Sequence, residues 1–201
     1  MSFFFINIVL SYFIGAIPFA YIIFRFFGKG DIRKVGSGNS GATNVTRLLG
    51  IKFGVLVFLL DFFKGYFGVV FSEKFLKNYN MPYPIVFFYI SIAFILIGHI
   101  YSVFLKFKGG KGAASGIGII FALSLYSGIS VFILWGIIFY FSKIVALSTI
   151  IASMSLPFFI LYFEKTQHLL VFSILASLFV VFKHKSNIIR MIRKEENSFR
   201  R

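Results

Sequence analysis

AASGIGIIFALSLYSGISVFILWGIIFYFS, residues Ala113–Ser142, carries no charged side chain, and its reading decides how many times the chain crosses a membrane. As one helix at about 1.5 Å per residue, these roughly 30 residues would extend about 45 Å, well beyond a hydrocarbon core of about 30 Å. Charge bias helps choose. The strongly basic segments are 25–52, 106–111 and the stretch from Lys183 onward. The positive-inside rule puts all three in the cytoplasm, so an even number of crossings separates Lys111 from Lys183. Apolar stretches at 144–163 and 169–182 supply two crossings. The run is therefore expected to cross twice, as two short helices that break near Ser127–Gly128. A single long tilted helix in a six-span chain is the rival.

The rest of the chain agrees with a membrane setting. Of 201 residues, 59% are hydrophobic, and the mean hydropathy is +0.91, against about 45–50% apolar in soluble domains. Phe3–Phe24 is uncharged and reads as span one, with Pro18 kinking it. Span two is expected at about 51–71, holding Asp61 and Lys64 on one helix face, where they can pair. A short connection follows, with Glu73, Lys74, Lys77, Pro82 and Pro84, and span three runs over about 85–105 with His99. The expectation is an all-α, polytopic integral membrane protein of about seven transmembrane helices, two of them short. It forms a single domain over 1–201 that ends in a basic cytoplasmic tail, 183–201, interfacial or disordered for most of its length. The N-terminus has no basic signal region, so the first span is taken as retained.

The formal net charge is +15. In a soluble protein that would suggest nucleic acid. Here the cations cluster between spans and in the tail, where they read as topology signals and contacts to anionic membrane lipids, with no nucleic-acid partner. Cysteine is absent, which excludes disulfides and thiolate metal sites. His99, His168 and His184 lack metal-ligand spacing, so no metal or cofactor is expected.

Two polar, glycine-rich stretches interrupt the apolar background. Gly36-Ser-Gly-Asn-Ser-Gly-Ala-Thr-Asn-Val-Thr-Arg47 supplies flexible backbone, neutral hydrogen-bonding groups and a planar cation, with Lys29, Arg33 and Lys34 just upstream. Lys108-Gly-Gly-Lys-Gly112 is the second, and each precedes a helix. Glycine-rich loops before helix N-termini suit anions, most simply phosphates. The second falls short of a nucleotide P-loop, because Ala113 stands where Ser or Thr is required. No Ser-x-x-Lys or Ser/His/Asp arrangement stands out, and six acids spread over the whole chain offer no carboxylate pair. What remains is a set of cations, amides, hydroxyls and a histidine or two. Such groups can position an already activated substrate and stabilise developing charge.

On these residues the chain resembles the bacterial acyl-phosphate:glycerol-3-phosphate acyltransferases. Gly36–Arg47 is similar to that family's first signature, and Asp61-x-x-Lys64-Gly65 to its second-helix motif. Gly98-His99-Ile100-Tyr101 with Phe107–Gly112 resembles the second signature, and His184-x-x-Asn187 with Arg190 the C-terminal one. The resemblance implies a seven-helix bacterial inner-membrane enzyme with a cytoplasm-facing site. It implies transfer of an acyl group from acyl phosphate to the 1-hydroxyl of glycerol 3-phosphate, the first step of phospholipid synthesis. By the same resemblance Ser37, Arg47, Lys111, His184 and Asn187 form the catalytic and phosphate-binding set. Asn39, Asn44, Gly109, Gly110 and Thr149 bind or support substrate. The proton acceptor is either His184 or the substrate's own phosphate, and the enzyme that makes acyl phosphate is an expected partner. The chain departs from the family at Ser102, where proline is common. It departs again at Ala146-Leu147-Ser148-Thr149, where a Ser-Leu pair is usual, so that any hydroxyl role falls to Ser148 or Thr149. A transporter for a small phosphorylated solute, using the same cations, is the competing reading. It is disfavoured because no paired halves are evident. A structural protein binding lipid heads would explain the charge, but not the two glycine-rich stretches.

Overall fold

A computed structural model describes residues 2–27, 30–78 and 84–199. Lys29 of the first basic cluster and Pro82 of the connection before span three lie outside the described residues. Contacts divide the chain into two compact units, Met1–Leu123 and Ser124–Arg201. No strand occurs among the described residues.

The first unit contains α1 (Ser2–Ala16), α2 (Phe19–Phe26), α3 (Ala42–Leu49), α4 (Ile51–Asn78), α5 (Pro84–Ile100) and α6 (Ala113–Leu123). Short 3-10 turns lie at Ile32–Lys34 and Val103–Leu105. Span one is broken rather than merely kinked, because Pro18 separates α1 from α2. The break frees backbone carbonyls that a continuous helix would satisfy. Two side chains occupy them. Ser102 Oγ donates to the Ala16 carbonyl at 2.6 Å, and Lys64 Nζ donates to that of Ile17 at 2.7 Å. Lys64 also pairs with Asp61 at 2.7 Å. The serine that replaces the resembled family's proline thus supplies a donor where the broken helix lacks one.

Two helix pairs set the unit's packing, and small residues decide how close they come. Where α1 crosses α5, a Cβ on Gly15 would overlap the Ile95 carbonyl, and one on Gly98 would overlap that of Tyr12. Where α4 crosses α6, Gly65 meets the Ser115 carbonyl and Gly118 meets that of Phe62. Backbone-to-backbone packing of this kind holds helices together where lipid removes the hydrophobic drive. Polar groups reinforce it, since buried Asn7 of α1 donates to Ser72 Oγ of α4 and Ser91 Oγ of α5, both at 3.0 Å.

The second unit contains α7 (Leu125–Ser142), α8 (Val145–Phe163), α9 (Gln167–Lys183) and α10 (Lys185–Ile192). α8 packs on both α7 and α9. The long apolar run does break, but at Ser124 and not at Ser127–Gly128. Ser124 is extended (φ −155°), and its hydroxyl accepts the Ser127 N–H as a helix cap. Ser127 and Gly128 sit buried inside α7. Only the first half of the run is therefore short. α6 has 11 residues, whereas the 18 of α7 are near the roughly 20 that span a bilayer. Among the described residues, five apolar helices are long enough to cross, counting Phe3–Phe26 as one, and α9 with α10, bent by 56°, gives a sixth if the pair is one span. The protein is thus an all-helical integral membrane protein. Glu73, Lys74 and Lys77, read as part of a connection, belong to the last turns of α4. The basic tail is also more ordered than expected. After α10 the chain turns back, and Phe199 N–H donates to the Lys143 carbonyl at 2.9 Å.

Candidate active site

Within the first unit, the two glycine-rich stretches lie at one end, joined by Arg33. Asp31 caps the 3-10 turn by accepting the Arg33 N–H, and its carboxylate also binds the Arg33 guanidinium, with Nη2 to Oδ2 at 2.6 Å. That leaves Nη1 to donate to the Leu105 carbonyl at 2.6 Å, in the loop leading to Gly109–Gly112. The guanidinium beside Asp31 lowers its carboxyl to about 2, while the carboxylate raises the Arg33 pKa. A depressed folded-state carboxyl gives stability that is full above the unfolded value, about 3.9, and is lost as pH falls through the folded one. The stability gap between wild type and Asp31→Asn should therefore be full at pH 7. It should narrow as pH falls from about 4 to about 2. Thermal unfolding of both proteins across that range measures it.

The first stretch is shaped by Asn44, whose side chain holds the backbone of Ser37, the second residue of that stretch. Asn44 is 0% exposed. Its Oδ1 accepts the Ser37 N–H at 3.0 Å, and its Nδ2 lies within bonding reach of the carbonyls of Val35 (3.1 Å) and Ile32 (3.4 Å). The loop can fold over this amide because Gly36 and Gly38 have φ of 61° and 69°, values that favour glycine. A Cβ on Gly36 would strike Asn44 Oδ1. Asn44, expected among the substrate-binding residues, is thus engaged with the loop's backbone and sets the loop's shape. Ser37 is exposed on the surface of that loop, Asn39 and Arg47 are half-buried, and Ser40 is buried. Ser40 Oγ has no hydrogen-bond partner among the described residues. Removing the brace strands buried polar groups at about 1–3 kcal/mol each. Asn44→Ala should therefore lower kcat/KM at least tenfold while the helices persist by circular dichroism. Asn44→Asp, which keeps the acceptor for Ser37, should lose less.

The second stretch also departs from the expected amide cradle. The N–H groups of Gly109 and Gly110 donate to the carbonyls of Ile100 (3.0 Å) and His99 (3.1 Å). They fold the loop onto the end of α5, so these two amides are already engaged. The glycines are needed for the close approach, because a Cβ at Gly109 would overlap the His99 carbonyl. Half-buried Lys111 follows, and α6 begins two residues later. The first N–H groups of a helix lack intrahelical acceptors, which keeps this end of the unit suited to an anion.

The second unit carries the remaining expected residues. His184 is buried at the C-terminal end of α9, and its Nδ1 lies 2.8 Å from the Val180 carbonyl. A carbonyl only accepts, so Nδ1 carries a proton. Asn187 Nδ2 donates to Glu196 Oε1 at 2.9 Å, and Arg190 Nε donates to Glu196 Oε2 at 2.7 Å. Glu196 thereby fixes both residues. Thr149, expected to bind substrate, donates to the Val145 carbonyl and accepts from Trp135 Nε1 at 3.1 Å. Ser148 donates to the Ile144 carbonyl at 3.0 Å. Both hydroxyls are buried and engaged within the helices, and Thr149 orients Trp135, which the sequence did not single out.

Comparison with known proteins identifies the family. The family model for glycerol-3-phosphate acyltransferase matches residues 5–194. The glycerol-3-phosphate acyltransferase of Endomicrobium trichonymphae is 39% identical over 193 residues, 96% of this chain and 94% of its own. That of Fusobacterium nucleatum subsp. nucleatum is 38% identical over 197 residues, 98% of each chain. Two crystal structures of PlsY, an integral membrane glycerol 3-phosphate acyltransferase, are also similar. Its glycerol 3-phosphate form has a TM-score of 0.89 at 35% identity, covering 98% of this chain and 96% of that one. Its lysophosphatidic acid form has a TM-score of 0.86 at 34% identity, with 98% and 95% covered. Matching over nearly its whole length in sequence and in fold, the chain belongs to the glycerol-3-phosphate acyltransferase family.

Proposed function

We propose that the protein transfers a fatty acyl group from acyl phosphate to the 1-hydroxyl of glycerol 3-phosphate. The products are 1-acyl-glycerol 3-phosphate and inorganic phosphate. The observation that carries this reading is the Arg33 bridge to Leu105, which holds two cation-bearing, glycine-rich loops at one end of a membrane unit. The orphaned, buried Ser40 hydroxyl supports it, as does the family's acceptor, glycerol 3-phosphate. The reaction runs at the cytoplasmic face of a bacterial inner membrane, where both phosphorylated substrates are within reach of the basic loops.

Acyl phosphate is a mixed anhydride with a good leaving group, so no acyl-enzyme is needed. The hydroxyl oxygen attacks the acyl carbon, the bond from that carbon to the phosphate oxygen breaks, and phosphate departs with the electron pair. Arg47 and Lys111 hold the phosphates and offset the charge gathering on the leaving group. Ser37 and Asn39 orient the reacting oxygens. By the family resemblance, the hydroxyl proton passes either to His184 or to the substrate's own phosphate. Asn187, held by Glu196, orients substrate.

Purified protein incubated with palmitoyl phosphate and glycerol 3-phosphate should release phosphate only when both are present. Palmitoyl-CoA or palmitoyl-acyl carrier protein in place of palmitoyl phosphate should give no product. Turnover with either thioester and none with the acyl phosphate would overturn the donor assignment. A His184→Ala variant with near-full turnover would transfer the proton role to the substrate's own phosphate.

A further inference from the structure

One buried polar group of the first unit has no part in the proposed chemistry. His99 lies near the end of α5, walled in by α4 and α6. Its Nδ1 is 3.1 Å from Ser115 Oγ on α6 and 3.6 Å from Asp61 Oδ1 on α4. Asp61 is held in turn by Lys64, which is anchored on the Ile17 carbonyl. This chain of contacts ties the imidazole to three elements and leaves it little freedom. Its other edge points at Gly110. The three nearest heavy atoms to a Cβ built on Gly110 are Nε2, Cε1 and Cδ2 of His99, and Nε2 would overlap it. The backbone of His99 accepts the Gly110 N–H as well. The edge of the imidazole is therefore packed against the loop, one residue before Lys111.

The geometry points to His99 as a positioning residue, which sets the path of the Gly109–Gly110–Lys111 loop and so the place of the Lys111 ammonium. Ser115, Asp61 and Lys64 hold the ring in its orientation. This rests on the function proposed above for its catalytic consequence, but not for its structural one. A positioning error of about 1 Å costs up to about 100-fold in rate when a charged group must meet a phosphate. Gly110 is free of a side chain because the ring stands where that side chain would go, so the two positions should be coupled rather than additive.

A double-mutant cycle tests the coupling. Gly110→Ala in the wild-type background should lower kcat/KM about 100-fold. In a His99→Ala background, where the ring's space is open, the same change should cost less than about threefold. His99→Ala alone should raise KM for a phosphorylated substrate about tenfold and leave kcat within about threefold, since the loop loosens but Lys111 remains. Equal losses from Gly110→Ala in both backgrounds would overturn the proposal, as would a fall in kcat with KM unchanged. Hydrogen exchange gives a readout independent of turnover. The Gly109 and Gly110 amides should exchange at least about tenfold faster in His99→Ala, with the α5 amides unchanged, because local opening is then cheaper. Should His99→Ala fail to fold, Ser115→Ala removes one restraint on the ring and should speed the same two amides. Unaltered exchange at Gly109 and Gly110 in a folded variant sinks the positioning role. Wild-type protein inert toward acyl phosphate and glycerol 3-phosphate would sink the functional reading alone.

Discussion

Arg47→Ala should reduce turnover of palmitoyl phosphate and glycerol 3-phosphate by about 100- to 1000-fold, and Lys111→Ala by a similar factor. Removing one charged donor from a developing anion in a low-dielectric site typically has effects of that size. The two cations should respond differently to conservative change. A guanidinium can grip two phosphate oxygens with parallel bonds, whereas an ammonium acts as a point charge. Arg47→Lys should therefore stay deeply impaired, and Lys111→Arg should keep more activity. Both alanine variants should elute and unfold as wild type does, since neither residue lies in the glycine-mediated helix crossings. Phosphate release under saturating substrate, with a parallel unfolding curve, separates lost chemistry from lost fold. Activity within a few-fold of wild type in folded Arg47→Ala would remove the phosphate-holding role from the first loop.

The largest stability losses should come from two glycines at the helix crossings. Gly98→Leu and Gly118→Leu each place a side chain against a neighbouring helix's backbone, at the Tyr12 and Phe62 carbonyls respectively. A flexible side chain can move aside, but a helix backbone yields only if the whole pair separates. Overpacking costs about 1–3 kcal/mol where side chains can adjust, and a backbone clash should exceed that. The expected outcome is loss of monodisperse protein in detergent, or an unfolding midpoint far below that of wild type. Gly136→Ala is the internal control, because its Cβ would meet nothing within 4 Å. A midpoint for Gly118→Leu equal to that of Gly136→Ala would show that α4 and α6 do not approach as described.

Much of this architecture is visible in the sequence, for identifiable reasons. Long uncharged runs mark the apolar helices because a charge in lipid is costly, and the two glycine-rich stretches stand out against them. Pro18 announces a kink because it has neither an N–H to donate nor room for the preceding turn, and the structure extends the kink to a break. What the sequence conceals is which small polar residue ends a helix and where each polar atom finds its partner. Ser124 and Ser127 look equally suited to interrupt the long run. Ser124 does so because its extended backbone and hydroxyl cap α7, while Ser127 is buried within it. The amides of Gly109 and Gly110 look free for a ligand, yet they bond back to α5, a long-range pairing that local sequence does not encode. Asn44 and Thr149 look alike as polar candidates beside a site, and both are committed to their own unit's framework. In the sequence, Arg33 is only nearby positive charge. Its use as a bridge appears once Leu105 is brought beside it. The bond from Glu196 to Asn187 likewise depends on the chain turning back after α10.

The central claim is that two connectors distant in sequence come together on one side of the bilayer to hold phosphate. The absence of native cysteine makes this directly measurable. Lys34→Cys and Lys108→Cys, introduced singly at exposed positions on the two connectors, can be probed with a membrane-impermeant maleimide in sealed vesicles of known orientation. The account predicts that both react from the same side and are silent from the other. Reaction of one from inside and the other from outside would contradict it.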